Sequence, residues 1–332
     1  MSRNGAKHYK YKNIALTLAV MLLVILAIMK SCTAEEQQTE VKADSKTSVN
    51  VPDVLKPVSS HVQPTSVILP FKAVGLEKNF RYLNVRNSET VGTGDLLLLN
   101  AGYRYDGKPG DLVSNYEYLF DKSGERIASA SSTVNMASKR VLQAFNEMVC
   151  DFYKKTGKAT ILLTDLYLEG GGEGKTCYEH ESGLAIDLRL YLEAEKSYPE
   201  FTGKGEYAWF EQNCHKYGFI LRYSDDKKDI TGVPGMANHF RYVGKPHAEL
   251  IKRKAYCLEE YLDDIKQYTI DSPLSFEDEN GDCWAIYYFA QSNEQTTNIP
   301  IPLDASNTEY VHSISGDNRD GYIVTVNIPR QQ

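Results

Sequence analysis

Two stretches concentrate the residues able to do chemistry: CYEHESGLAID at 177–187 and NHFRYVG at 238–244. Between them they offer two imidazoles and a carboxylate, His180, Asp187 and His239. That set suits a zinc ion whose fourth position stays open for water. The histidines flank strand-like runs and do not stand one turn apart on a helix, so this is not the His-Glu-x-x-His arrangement of helical zinc peptidases.

Convergence of the three groups depends on the elements around them. Gly183 can turn the chain after His180, and LAIDLRLY at 184–191 then reads as a buried, mostly apolar strand carrying Asp187. A charge in such a strand needs a partner. HFRYV at 239–243 alternates as a second strand, with His239, Arg241 and Val243 on one face and Phe240 and Tyr242 on the other. Arg241 on the ligand face can orient a carboxylate, either Asp187 or a substrate terminus. Taken singly, each residue fits an ordinary hydrogen-bonded structural role, so the pairing of the two strands decides the matter.

The spacing His-x-x-Gly-x-Ala-x-Asp, the run NCHKYGFILRY at 213–223, ITG at 230–232 and HFRYVG at 239–244 resemble the VanY-type zinc D-Ala-D-Ala carboxypeptidases. The resemblance covers residues 95 to 257. It implies zinc held by His180, Asp187 and His239, a water activated for attack, and the peptide stems of peptidoglycan as substrate. Departures fall on the substrate side. The family carries Glu-Pro-Trp before its last histidine, the Glu acting as general base, whereas this chain has Met236, Ala237 and Asn238. The family's Ser-Gly-Tyr-Arg segment aligns with Thr164, Asp165, Leu166 and Tyr167, and its Ser two residues before the first ligand is Tyr178. A thioether carries no proton at neutral pH, and losing a positioned acid/base removes about 10²–10⁴-fold of rate. Glu173, Glu179 and Glu181 are the carboxylates left to substitute for it.

At 332 residues, 42% hydrophobic and 24% charged, the chain can bury one sizeable core plus appendages. Its net charge of -7 argues against a general nucleic-acid binder. Residues 1–12 carry Arg3, Lys7, Lys10 and Lys12, a basic cytoplasmic tail. The apolar run that follows, 13–30, reads as a single transmembrane helix that leaves the remainder extracytoplasmic. A cleaved signal peptide lacks a small-x-small site here, and the residues before Cys32 make a poor lipidation signal. Residues 31–75 are polar and without periodicity, a flexible linker.

From 76 to 257 the pattern is that of an α+β zinc domain, a small antiparallel sheet with packed helices. Phe80–Val85 and Leu96–Asn100 look like strands. Val141, Leu142, Phe145, Met148, Val149 and Phe152 share one helix face that Gly157 can end. Tyr207, Phe210, Cys214 and Tyr217 suggest a second helix, with His215 among its solvent-facing positions and Asp225–Asp229 as a solvated loop. His247 sits near a helix start set by Pro246. Residues 258–332 are expected to add a helix and a β extension, with Gly321–Ile328 as a half-buried strand. Of the six cysteines, five lie in the exported part once Cys32 at the membrane edge is set aside, so buried thiols are expected over a complete set of disulfides. Three functions remain open: a membrane-anchored zinc carboxypeptidase, a zinc-binding pseudoenzyme that holds wall peptide or a protein partner uncleaved, and a metal-free structural domain.

Overall fold

The computed structural model describes residues 76, 79–131, 136–170 and 177–329, all within one compact unit. The expected transmembrane run, the linker and Glu173 lie outside the described residues. Among the described residues no helix is long and apolar enough to cross a membrane.

The architecture is α+β, built from several small sheets. In chain order come β1 (Phe80–Arg86), β2 (Leu112–Ser114), β3 (Ala128–Ala130) and β4 (Met136–Ser138). The long helix α1 (Lys139–Thr156) follows, burying Val141, Leu142, Phe145, Met148, Val149 and Phe152 on the face expected from their spacing. Gly157 ends it in the left-handed region at φ 70°, its N–H returning to the Tyr153 carbonyl. Then come β5 (Ile161–Leu163), the one-turn helix α2 (Cys177–His180), β6 (Ala185–Leu190), α3 (Ala208–Asn213), β7 (Phe219–Leu221) and β8 (His239–Tyr242).

The central sheet runs β3-β5-β6-β8-β7. It is mixed, not wholly antiparallel as expected, because β3 and β5 are parallel. The intervening β4 and α1 supply the crossover that a parallel pair requires. The expected helix over 207–217 is broken: α3 stops at Asn213, which adopts φ -123°, and the chain continues as a separate 3-10 turn, Cys214–Tyr217. His215 is buried at 7% exposure, not solvent-facing, since the break turns it inward. The loop over 225–229 also contains helical turns, Asp225–Lys227 and Lys228–Thr231.

Beyond the central sheet stand α4 (Lys245–Lys254), with Pro246 in its first turn, and α5 (Leu258–Ile265). Strands β9 (Leu274–Glu277), β10 (Cys283–Ala290), β11 (Thr296–Pro302), β12 (His312–Gly316) and β13 (Gly321–Ile328) complete the chain. β12-β13-β10-β9 form an antiparallel sheet, while β11 pairs antiparallel with β1. β13 is buried on both faces, not one. Ile323 joins Leu258, Tyr261, Leu262 and Ile265 of α5 in one core, and Val324 and Val326 join Ile299 and Ile301 of β11 in another.

Leu96–Leu99 departs from its expected strand. All four side chains are buried, yet no ladder forms. Its backbone is satisfied otherwise: Leu96 N–H donates to Ser315 Oγ and Leu98 N–H to the Asp317 carbonyl, while the Leu97 carbonyl accepts from Arg241 Nη2.

Candidate metal centre

Strands β6 and β8 are hydrogen-bonded neighbours in which Asp187 stands directly opposite His239. His180 arrives from the end of α2 through a turn at Gly183, whose φ of +71° favours glycine. A Cβ there would also lie 2.9 Å from Leu112 Cδ2 and 3.3 Å from the Ser138 backbone nitrogen. The three groups therefore meet: His239 Nδ1 is 2.6 Å from Asp187 Oδ1, and His180 Nε2 is 3.5 Å from the same oxygen. One nitrogen or oxygen from each lies within 4.8 Å of the others, and all three side chains are buried.

Each imidazole is oriented from behind. His180 Nδ1 lies 2.8 Å from the Leu166 carbonyl and donates to it, which leaves the buried Nε2 without a hydrogen bond and facing Asp187. His239 Nε2 lies 3.3 Å from Glu179 Oε2, and its ring stacks on Tyr223 with centroids 5.2 Å apart. Glu179 is fully buried. Burial alone would raise its carboxyl, but the charges of Arg222 and Arg241 and the His239 hydrogen bond hold it well below the usual range. Asp187 behaves similarly, with burial outweighed by the neighbouring imidazoles of His180 and His239. His239 sits between the two carboxylates. Burial disfavours its charged form, yet Asp187 and Glu179 raise it to about 9. An orphaned Nε2, a second ring nitrogen gripped by a carboxylate and the carboxylate itself together fit a divalent cation. Carbonyl and carboxylate partners behind the two rings are the supports that metal-binding histidines require.

Arg241 holds Glu179 through Nη1 at 3.1 Å and does not reach Asp187. Being wholly buried, it offers nothing to a substrate terminus. Met236 occupies the turn before β8, where its carbonyl accepts the His239 N–H and its own N–H donates to the Tyr223 carbonyl. Glu181 is paired with Arg104, whose guanidinium lies 4.1 Å from the centre of the Tyr178 ring. Tyr167 is half-buried, its N–H bonded to the Met136 carbonyl. A cavity of about 390 Å³ lined by Thr164, Asp165, Arg189, Glu200 and Asn238 opens one residue from Asp187 and His239. Neither this cavity nor two larger hollows, of about 700 and 760 Å³, has any of the three metal-site residues in its walls. His247 is remote from the centre, its Nδ1 2.7 Å from Tyr261 Oη and its Nε2 2.9 Å from Thr325 Oγ1.

Sequence reasoning missed Arg222 and Glu259. Arg222 follows directly on the apolar β7 run and is only 1% exposed. A cation in that place signals a buried anion, though not which one.

Known proteins resemble this chain in sequence and in fold. Residues 174–245 match the family model described as VanY, D-alanyl-D-alanine carboxypeptidase. A D-alanyl-D-alanine carboxypeptidase of Enterococcus faecium is 36% identical over 255 residues, covering 72% of this chain and 77% of that protein. The putative carboxypeptidase YodJ of Bacillus subtilis is 29% identical over 252 residues, covering 71% of this chain and 86% of that protein. Among solved structures, the vancomycin resistance D,D-dipeptidase VanXYg, in complex with a D-Ala-D-Ala phosphinate analogue, is similar with a TM-score of 0.58 and 26% identity. That likeness covers 75% of this chain and all of the other. With three convergent residues and a 36% identical relative matched over 77% of its length both in view, the chain belongs to the VanY-type D-alanyl-D-alanine carboxypeptidase family.

Proposed function

We propose that this protein is a membrane-anchored, extracytoplasmic zinc-binding pseudoenzyme that engages D-Ala-D-Ala-ended peptidoglycan stem peptides and turns them over far more slowly than its relatives do. One observation carries the reading: His180, Asp187 and His239 converge, while Met236 occupies the position of the family's general base. His180 Nε2, His239 Nδ1 and an Asp187 oxygen would hold the ion. Zinc bound there would polarise a peptide carbonyl and make water more acidic.

The remaining steps belong to the chain, and among the described residues proton transfer is the one without a carrier. Met236 has no group that accepts a proton from water at neutral pH. Glu179 cannot substitute, because its two oxygens are taken by Arg222, Arg241 and His239 Nε2, on the side of the ring away from Nδ1. Glu181 is neutralised by Arg104. The cavity beside Asn238 remains available to receive the end of a peptide, with Thr164 and Asp165 as polar groups in its wall. Anchoring rests on the apolar run at 13–30 and its basic flank.

The test is metal content, peptide binding and D-Ala release measured on the same purified protein. One zinc per chain, lost in His239→Ala, with saturable binding of a D-Ala-D-Ala-ended peptide and D-Ala release near background, is the expected result. Rapid release by the unmodified chain that disappears in His239→Ala would make it an ordinary carboxypeptidase instead.

A further inference from the structure

The charge chain behind His239 does not end at Glu179. Arg222 donates through Nε to Glu179 Oε1 at 2.7 Å. Its other two nitrogens, Nη1 and Nη2, donate to Glu259 Oε2 and Oε1 at 2.8 and 2.6 Å. Glu259 lies in the first turn of α5, outside the segment matched by the family model.

We propose that Glu259 is a positioning residue for the metal centre: by pinning the guanidinium of Arg222 it fixes Glu179, and Glu179 in turn fixes the orientation and tautomer of His239. The inference rests on the zinc reading of the preceding subsection.

The geometry explains why a second carboxylate matters. A guanidinium is a planar fork that grips a carboxylate best through two parallel hydrogen bonds. Glu259 occupies the Nη pair in that way, so only Nε is left for Glu179. Arg241 donates to the same Glu179 oxygen, Oε1, and spends Nη2 on the Asp95 and Leu97 carbonyls. Both cations thus load one oxygen of Glu179 and leave Oε2 for His239 Nε2. With a proton held on Nε2, Nδ1 is the nitrogen left to be given up to a cation shared with Asp187 and His180. Remove the Glu259 charge, and Arg222 is free to swing into a two-pronged pair with Glu179, taking the oxygen that His239 needs. The C-terminal region would then be part of the metal site's construction, although it supplies no ligand.

The test compares Glu259→Gln with Glu260→Gln in the full chain. Glu260 is the next residue of the same helix, pairs with Lys227 and caps the Cys257 N–H, but has no contact with Arg222 among its hydrogen bonds. It controls for general loosening of α5. Zinc affinity is read by competition with a chromophoric chelator, and ligand geometry by the visible spectrum of the cobalt(II)-loaded protein. Glu259→Gln is expected to weaken zinc about 10–100-fold, the usual effect of losing an outer partner of a metal-binding histidine, and to shift the cobalt spectrum. Glu260→Gln is expected to lower the melting temperature and leave both readouts unchanged. Should Glu259→Gln fail to fold, Arg222→Lys keeps a buried cation but not the fork, and is expected to weaken zinc likewise. Equal zinc losses in the two glutamine variants, or none in Glu259→Gln or Arg222→Lys, overturn the relay alone. A parent protein that takes up no zinc overturns the metal reading and the relay with it.

Discussion

On the proposed reading, Met236 stands where a proton carrier would be needed. Met236 stands three residues before His239 on a turn whose backbone bonds to Tyr223 and His239 are in place, so a carboxylate introduced there starts from an ordered position. Met236→Glu is expected to raise D-Ala release about 10²–10⁴-fold, the usual contribution of a positioned acid/base, and Met236→Gln is expected to leave it unchanged. If Glu gains no more than Gln, Met236 is not what limits turnover, and Tyr167 and Tyr178 on the substrate side become the residues to test. Residue-scale chemistry was legible where it was local. His180, Asp187 and His239 were candidates by residue type, and the family resemblance, more than their spacing, singled them out together with Met236. Glu179 was visible only as a spare carboxylate. Its commitment to two arginines depends on Arg222 and Arg241 arriving from two other strands, which no local pattern encodes.

Among the elements, α4, α5 and β13 are tied together by His247, which bridges Tyr261 and Thr325. Burial lowers this imidazole from 6.5 to about 3. Below the ordinary histidine value the unfolded chain binds a proton that the folded chain refuses, so the stabilisation is whole above that value. It drains away as pH falls toward the folded one. Across that window the parent protein is expected to lose about 1.4 kcal/mol per pH unit more than His247→Gln, the slope of one linked proton; parallel chemical-denaturation curves from pH 6 to 4.5 would refute this. Helix α1 and its Gly157 stop were plain in the sequence because a 3.6-residue repeat is a property of one segment. Leu96–Leu99 was misread as a strand because four buried leucines look the same whether their backbone meets a neighbouring strand or, as here, the Arg241 and Ser315 side chains.

At the scale of the whole molecule, the C-terminal region is built into the fold. Ile220 and Val243 of the central region share a core with Leu258, Leu262 and Ile323, and β1 finds its partner only in β11. Ending the chain after Cys257 is expected to give protein without a cooperative melting transition, because full burial of each such side chain contributes about 1.5–3 kcal/mol against a total stability of about 5–15 kcal/mol. A sharp thermal transition in that fragment would argue for an independently folding unit.

The β1–β11 ladder also bears on how the protein is made. Asn84 bonds to Asn298 across a separation of 214 residues, and synthesis proceeds from the N-terminus. Strand β1 therefore waits for its ladder until residues 296–302 have been delivered. A nascent chain stalled before residue 296 lacks the partner of β1, which leaves that strand's edge open to binding by chaperones.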